Sequence, residues 1–201
     1  MSGPLHADAL AVLRSWTAPD DRQDRLRHRY VDHLEAHPDG MRRGCFPDHV
    51  TASTLILSED GERVLLTLHA KAGLWLQFGG HIESDDLSLY AAARREVVEE
   101  SGIAGIVVDP QVLELHRHTL GPRFGRCAEH LDVRFAGWAP AGVEPSCSPE
   151  SLDVRWWPIT ALPAEVVTEL GALIQRGADR GRDRARRSDS MAAGEHDLST
   201  I

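Results

Sequence analysis

The sequence predicts a mixed α/β chain of the α+β class, and three stretches carry this prediction. Residues 20–36 open with aspartates and place apolar side chains four positions apart, as an amphipathic helix does. Residues 49–57, which read HVTASTLIL, form a β-branched and apolar run that is typical of a strand. Residues 88–101 carry small apolar residues on one face and glutamates elsewhere, which indicates a helix that packs on a sheet.

The chain before the first strand is expected to be helical. Residues 1–44 read as a helical hairpin that ends near the turn residues 37–40, HPDG. We expect this N-terminal extension to pack on the core. It could serve as a cap on the sheet, as a wall of a binding pocket or as the surface of a homodimer. The cap is favoured, because no residue of the extension carries chemistry by itself.

The core domain is expected at residues 45–176. After the strand at 49–57, the predicted elements are strands at 63–68, 74–78, 106–108, 112–116, 130–135 and 150–158, and a last helix at 162–175. From residue 177 the composition changes to mixed charges and small residues, with almost no bulky apolar side chains. Such a segment cannot bury much apolar surface, so residues 177–201 are predicted to be a disordered charged tail.

Composition and charge argue against several classes of protein. The 201 residues are 42% hydrophobic and 26% charged, which fits one globular domain with some extra chain. A formal charge of −9 argues against a nucleic-acid-binding surface. There is no apolar run of about 20 residues, so no membrane partner is expected. The start MSGPLHADAL lacks the pattern of a secretory signal, and three widely spaced cysteines suit reduced thiols, so we expect a cytoplasmic protein.

Three glutamates of the predicted helix at 88–101 are candidates for binding a metal. Glu96, Glu99 and Glu100 stand at positions i, i+3 and i+4 and therefore share one helix face. Like charges at this spacing repel each other. A hard divalent cation such as Mg²⁺, which takes carboxylate oxygens and keeps waters for a phosphate, would offset the repulsion. The alternative is a solvated face with exposed ion pairs to arginine, worth under about 1 kcal/mol each.

The segment around these glutamates matches a known motif. Gly79-Gly80 can adopt backbone angles that turn carbonyl groups toward an ion. Residues 80–103 resemble the Nudix box, GX5EX7REUXEEXGU, in which U is a bulky aliphatic residue. Residues 95–103 match its second half without a gap. The first half is one residue longer than the motif, and Asp86 stands where a glutamate is expected, so the role of Asp86 stays open.

The resemblance implies a fold, a reaction and a set of site residues. The fold implied is an αβα sandwich with a mixed β-sheet between helices. The reaction implied is hydrolysis of a nucleoside diphosphate linked to another group, as in nucleotide sugars, dinucleotides and nucleoside triphosphates, with Mg²⁺ or alternatively Mn²⁺. The metal ligands implied are Glu96, Glu99 and Glu100, with the Gly79 carbonyl and Glu83 as further candidates. Arg95 lies beside these catalytic glutamates and would hold their carboxylates in place.

Residues 130–135 are candidates for binding a phosphorylated small molecule. They alternate strictly, so that His130, Asp132 and Arg134 share one face of a strand. This face is either an exposed, ion-paired surface or the lining of the cleft. Arg134 is favoured as a phosphate ligand, because a guanidinium binds phosphate through two parallel hydrogen bonds. For the general base the candidates are Glu96, Glu129, Asp132 and Glu150, and Glu96 is favoured.

Two other functions are weighed against hydrolysis. The first is a non-hydrolytic Nudix domain that binds a nucleotide or sugar phosphate as a sensor, although a pure binder does not need three clustered acids. The second is an isopentenyl diphosphate isomerase, which shares the fold and needs a catalytic cysteine. None of Cys45, Cys127 and Cys147 lies near a recognisable motif for that enzyme, so this alternative ranks low.

Overall fold

The computed structural model describes residues 3–121 and 125–197, with side chains up to residue 187. The helices of these residues are α1 (Pro4–Ser15), α2 (Asp21–Ala36), α3 (Leu89–Ser101) and α4 (Leu170–Asp197). The strands are β1 (Asp48–Ser58), β2 (Arg63–His69), β3 (Trp75–Leu76), β4 (Phe78–His81), β5 (Val107–Val108), β6 (Glu114–Thr119), β7 (Glu129–Ala139) and β8 (Ser151–Pro158). The predicted mixture of helices and strands is confirmed.

All of these strands join one mixed sheet, with β1 and β7 at its centre. These two strands run parallel over their full length, from the pair Asp48 and Glu129 to the pair Ser58 and Ala139. The other pairings are antiparallel: β2 and β4 with β1, β5 and β6 with β7, and β3 and β8 with β2. The two long central strands therefore position the shorter strands that pair with them on either side.

The sheet lies between two helical layers, and β1 shows why. Val50, Ala52 and Ile56 belong to a buried cluster with side chains of α1, α2 and α3. Leu55 and Leu57 point to the opposite face and belong to a cluster with α4. Because neighbouring side chains of a strand point to opposite faces, a strand with apolar side chains on both faces needs cover on both sides. The expected αβα sandwich is confirmed.

The N-terminal helical pair is present and packs on the outer edge of the sheet. The Gln23 side chain, only 1% exposed, bonds both backbone groups of Leu115 in β6, its amide donating at 3.0 Å and its oxygen accepting at 2.7 Å. The Tyr30 hydroxyl donates to the carbonyl of His116 at 2.8 Å. Among the described strands β6 pairs with β7 alone, so these side chains bond backbone groups that a second strand would otherwise take. Both contacts are those of a cap.

The C-terminal segment differs from its prediction. The expectation of a disordered tail at 177–201 is wrong up to Asp197, because α4 runs from Leu170 to that residue. The start of this helix was also predicted too early, at 162. Residues 162–169 are instead irregular, with a single bridge between Val166 and Trp75 and a turn just before Leu170. Residues 198–201 lie outside the described residues.

Small residues explain why the helix continues against the sheet. A Cβ atom on Gly177 would lie 2.6 Å from a methyl carbon of Leu55, so the helix can approach β1 only because this position has no side chain. One turn later Arg180 donates to the carboxylate of Asp109 at 3.0 Å. The small and charged residues that suggested disorder therefore have structural roles: Gly177 allows a close contact between helix and sheet, and Arg180 forms an ion pair.

Two further expectations concern the membrane and the cysteines. Within residues 3–121 and 125–197, none of the helices has the length and apolar character needed to cross a bilayer. Cys45 and Cys127 are buried free thiols, and Cys147 is an exposed one. The expectation of unpaired cysteines is confirmed.

Candidate active site

The glycine pair brings the backbone of β4 against β1 and α3. Gly79 lies opposite Ser53 of β1 and has a φ angle of +152°, which side chains rarely permit. A Cβ atom on Gly79 would lie 2.3 Å from the Cβ of Ser53. A Cβ atom on Gly80 would lie 2.8 Å from a carboxylate oxygen of Glu96. Gly79 therefore needs to be glycine, because a side chain there would meet the backbone of β1. At Gly80 a Cβ atom would instead displace the end of the Glu96 side chain.

Helix α3 presents its glutamates to this backbone. Its first turn is capped by the hydroxyl of Ser88, which accepts from the N–H of Ala91 at 3.0 Å, and it ends at Gly102 in a left-handed conformation. The Glu100 carboxylate is 7% exposed and accepts the N–H of Gly79 at 2.9 Å. The last turn of the helix is thereby fixed to the glycine pair.

Burial makes the charge of Glu100 unfavourable. Burial, with a smaller effect of the nearby carboxylates of Glu96 and Glu150, raises the pKa of Glu100 to about 7. The hydrogen bond from the N–H of Gly79 acts in the opposite direction and lowers this pKa. Burial also raises the pKa of Glu96, partly opposed by Arg95. Crowded carboxylates with raised pKa values are stabilised in their charged form by a bound cation. Oxygen donors of this kind fit Mg²⁺ or Mn²⁺.

Arg95 holds two of the glutamates through one nitrogen. Its Nη1 donates to Glu96 and to Glu99, each at 3.0 Å, and the side chain of Glu99 is 58% exposed. In the described part of the chain, Glu96, Glu99 and Glu100 do not form a group whose carboxylate oxygens all lie within 4.8 Å of one another. Two of the carboxylates are therefore held at Arg95, and a metal ion would have to bring the three together.

Asp86 anchors Arg95, which settles the question left by the sequence. The Asp86 carboxylate accepts from Nε of Arg95 at 3.0 Å and from Nη2 at 2.9 Å, a paired and charge-assisted contact. Burial by itself would raise the pKa of Asp86, but Arg95 and the N–H of Glu83 outweigh it and hold that pKa below its usual value. The longer loop between His81 and α3 thus places a shorter acid at the guanidinium.

We expect Asp86→Ala to weaken divalent metal binding about 10- to 100-fold, as removal of ligand-orienting groups does. Without Asp86, Arg95 loses the partner that fixes its plane, and Glu96 and Glu99 lose their common orientation. The measurement is a Mn²⁺ binding titration of the purified chain. Asp85→Ala is the matched control, because Asp85 is an exposed acid of the same loop. Equal Mn²⁺ affinities of the two variants would contradict the anchoring role.

A cavity of about 770 Å³ lies beside the glutamates, a size suited to a nucleotide-like ligand. Its polar lining comes from β1, β4, β6 and β7 and from the segments just before β4, β8 and α4, and it includes Thr51, Ser53, Gln77, Gly79, Gly80, His81, His118, His130, Asp132, Glu150 and Glu169. Three cationic side chains, Arg43, Lys71 and Arg126, also line it. The sequence did not single them out, because each stands in a loop without a motif. The site therefore combines acids at one side with cations that suit an anionic ligand.

The polar face of β7 does line the cavity, but Arg134 is not free to bind a phosphate. Its side chain is 2% exposed, and its three nitrogens donate to Asp132 at 3.0 Å, Glu114 at 2.9 Å and Glu169 at 3.3 Å. The preference for Arg134 as a phosphate ligand is therefore not supported by its contacts. It neutralises buried acids below the cavity instead.

The same geometry narrows the choice of general base. Asp132 accepts from Thr51 at 3.0 Å and from Ser53 at 2.6 Å as well as from Arg134, so its oxygens are occupied. Burial would raise the pKa of Asp132, but the charge of Arg134 and the hydroxyl of Ser53 hold that pKa below its usual value. Glu129 is bonded to Arg29 at 2.9 Å and is not part of the cavity lining. Of the four candidates, Glu150 lines the cavity with its oxygens unoccupied by Arg134, and the Glu96 carboxylate lies against Gly80, which lines the cavity.

Four histidines meet at the other side of the cavity, which the scattered sequence positions did not reveal. His49 is the register partner of His130 in β7, and His118 of β6 is the partner of His130 on its other side. Burial, with a smaller effect of neighbouring His49, lowers the pKa of His81 to about 4. Burial and adjacent imidazoles lower the pKa of His130 to about 3. These rings are therefore neutral near pH 7.

Comparisons with known proteins agree with this architecture. A family model described as NUDIX domain matches residues 47–176. The fold is similar to that of the E. coli dihydroneopterin triphosphate pyrophosphohydrolase, with 20% identity, a TM-score of 0.55, and coverage of 65% of this chain and 95% of that chain. It is similar to the MutT protein from Methanosarcina mazei Go1, with 23% identity, a TM-score of 0.54, and coverage of 68% and 96%.

A third similar structure is the NUDIX domain of Shewanella oneidensis NrtR in complex with ADP ribose, with 19% identity, a TM-score of 0.54, and coverage of 69% of this chain and 92% of that chain. A comparison with curated proteins found no match. At these identities the solved structures show the fold alone. The family model adds that the matching domain extends over residues 47–176.

Proposed function

This chain belongs to the Nudix hydrolase family, and we propose that it uses Mg²⁺ to hydrolyse a pyrophosphate bond in a nucleoside diphosphate linked to another group. Nucleotide sugars, dinucleotides and nucleoside triphosphates are the substrate classes. The observation that carries the proposal is the buried Glu100 carboxylate, which accepts the N–H of Gly79, a residue of the cavity lining, and is crowded by Glu96. Such an arrangement is unfavourable unless a cation binds there.

The residues that would hold Mg²⁺ are Glu96, Glu99 and Glu100, with the Gly79 carbonyl and Glu83 as further candidates. When bound, Mg²⁺ neutralises pyrophosphate charge and lowers the pKa of a coordinated water. Glu83 is exposed on the loop before α3 and donates its backbone N–H to Asp86 at 2.8 Å, so it is the ligand with the least support. Arg95 would orient Glu96 and Glu99, to both of which it donates a hydrogen bond.

Cations of the cavity would bind the substrate's phosphates. Arg43, Lys71 and Arg126 line it, and a guanidinium can take two phosphate oxygens at once. The Arg126 guanidinium also lies over the ring of Phe46, 4.6 Å from its centre, which fixes its position at the rim. These side chains replace Arg134 as the phosphate ligands of the proposal.

Glu96 is proposed as the general base, with Glu150 as the alternative. One oxygen of Glu96 accepts from Arg95 at 3.0 Å, and the other has no hydrogen bond to the described residues. That second oxygen lies beside Gly80, at the edge of the cavity. It is therefore placed to take a proton from an attacking water.

The test is a phosphate-release screen of the purified chain with Mg²⁺ or Mn²⁺. With nucleoside triphosphates, inorganic pyrophosphatase is added so that released pyrophosphate is measured as phosphate. With dinucleotides and with nucleotide sugars such as ADP-ribose, alkaline phosphatase is added so that the monophosphate products release phosphate. We expect turnover of at least one class that stops when a chelator is added. Binding of these compounds without turnover would overturn the proposal and favour the non-hydrolytic sensor.

A further inference from the structure

A cluster of soft metal ligands lies in the cavity, apart from the glutamates of α3. His49 in β1 and His130 in β7 are register partners in the parallel central pair. Cys127 lies two residues before β7 begins. One ligand atom from each of the three lies within 4.8 Å of the other two. All three side chains line the cavity.

The rings around this cluster have the spacing of metal-bound imidazoles. His81 of β4 joins His49 and His130 in a triangle whose ring centres lie 4.9, 5.1 and 5.2 Å apart. Ligand nitrogens at about 2 Å from a tetrahedral ion place ring centres roughly 5 Å apart. In the described part of the chain, neither the His81 ring nor the His130 ring has a hydrogen-bond partner. Their nitrogens are therefore available to a ligand from the cavity.

Backbone groups orient two of the three ligands. Nδ1 of His49 lies 3.2 Å from the carbonyl oxygen of Cys45, so a proton on Nδ1 leaves the lone pair of Nε2 for a metal. Sγ of Cys127 lies 3.5 Å from Nδ1 and 4.0 Å from Nε2 of this ring. The distance to Nε2 is about 0.5 Å longer than the roughly 3.5 Å expected between nitrogen and sulfur on a tetrahedral zinc ion. The Cys127 thiol donates to the carbonyl of Glu129 at 3.2 Å, which fixes its rotamer.

We propose that His49, Cys127 and His130 form a second metal site, selective for Zn²⁺, whose fourth position opens into the cavity. Thiolate and imidazole ligands select Zn²⁺, whereas Mg²⁺ requires oxygen ligands, so the two metals do not compete for one set of side chains. On binding, a zinc–sulfur bond forms and the thiol proton of Cys127 passes to the solvent. Water or an anionic group of a bound molecule takes the open position. This site does not depend on the proposed hydrolysis.

The experiment uses the full chain after metal removal with a chelator. Zn²⁺ is added in the presence of excess Mg²⁺, and its affinity is measured by competition with a chromophoric chelator. We expect one tightly bound equivalent. Cys127→Ser should weaken Zn²⁺ binding about 100-fold or more, because even groups that only orient ligands contribute 10- to 100-fold. Cys147→Ser, the change of an exposed thiol, should leave the affinity unchanged.

Two measurements separate this site from the alternatives. Co²⁺ in place of Zn²⁺ should give a thiolate-to-metal absorption band in the parent chain and in Cys147→Ser, and no such band in Cys127→Ser. The Zn²⁺ affinity of Glu100→Gln should equal that of the parent chain. If the glutamates held the zinc instead, this variant would bind it much more weakly.

His130→Asn serves as a second ligand variant, and thermal unfolding of each metal-free variant confirms that it folds. Equal Zn²⁺ affinities of the parent, Cys127→Ser and His130→Asn would overturn the proposal, as would the absence of a bound equivalent.

Discussion

Glu100→Gln is expected to lower kcat about a hundredfold or more while the protein stays folded. Glutamine has nearly the same shape and can still accept the N–H of Gly79, which Glu100 accepts at 2.9 Å. What it removes is the negative charge that would bind Mg²⁺, and metal and acid–base contributions to catalysis are of this size. The measurement is the steady-state rate on whichever substrate the screen identifies, at saturating Mg²⁺.

The controls separate charge loss from misfolding. Glu59→Gln makes the same chemical change in the exposed turn between β1 and β2 and should leave kcat unchanged. The thermal unfolding midpoint of Glu100→Gln in metal-free buffer should match or exceed that of the parent, because burial already raises the pKa of Glu100 to about 7. Full Mg²⁺-dependent turnover by Glu100→Gln would refute the metal assignment.

Arg134→Met is expected to lower the free energy of unfolding by about 3–5 kcal/mol, the loss found when one partner of a buried ion pair is removed. Methionine fills part of the volume, but it leaves Asp132 with a buried charge that Arg134 had neutralised. Glu114 also loses Arg134 and keeps Arg176, whose Nε lies 3.2 Å from its carboxylate. Glu169, 3.3 Å from the guanidinium, loses a smaller contribution because it is 30% exposed and keeps His116 at 3.0 Å. The measurement is urea unfolding of the metal-free chain.

Arg155→Met is the matched control for this substitution. Arg155 is paired with Asp153 on the same strand, β8, but its side chain is 59% exposed, and exposed pairs contribute about 0–1 kcal/mol. Arg134→Met combined with Asp132→Asn should recover part of the lost stability, because it removes one of the uncompensated charges. An Arg134→Met chain that unfolds at the same urea concentration as Arg155→Met would show that the buried network contributes little.

Local spacing explains which parts of the site the sequence predicted. Glu96 and Glu100 are four residues apart on one helix, so their common face follows from helix geometry alone. The alternation of residues 130–135 likewise follows from the strand, and Leu131 and Val133 do enter the core while His130 lines the cavity. These inferences needed no knowledge of distant parts of the chain.

Contacts between distant residues explain what the sequence missed. Arg134 looked like a phosphate ligand until the fold placed Glu114 and Glu169 against it. The His49 and His130 rings, 81 positions apart in the chain, become neighbours only through the parallel register of β1 and β7. Spacing in the sequence carries no information about such a register.

The sequence by itself determined the Nudix family, the αβα architecture and the acidic helix, because each depends on residues that are close along the chain or on periodic burial. The tertiary structure alone decided that Asp86 anchors Arg95 through two hydrogen bonds and that the chain from 177 continues as a helix. It also decided which polar side chains of the cavity are hydrogen-bonded to one another, as Asp132 and Arg134 are, and which remain available to a ligand. The physical reason is that partnership between side chains depends on strand register and helix docking, which the packing of the whole core sets.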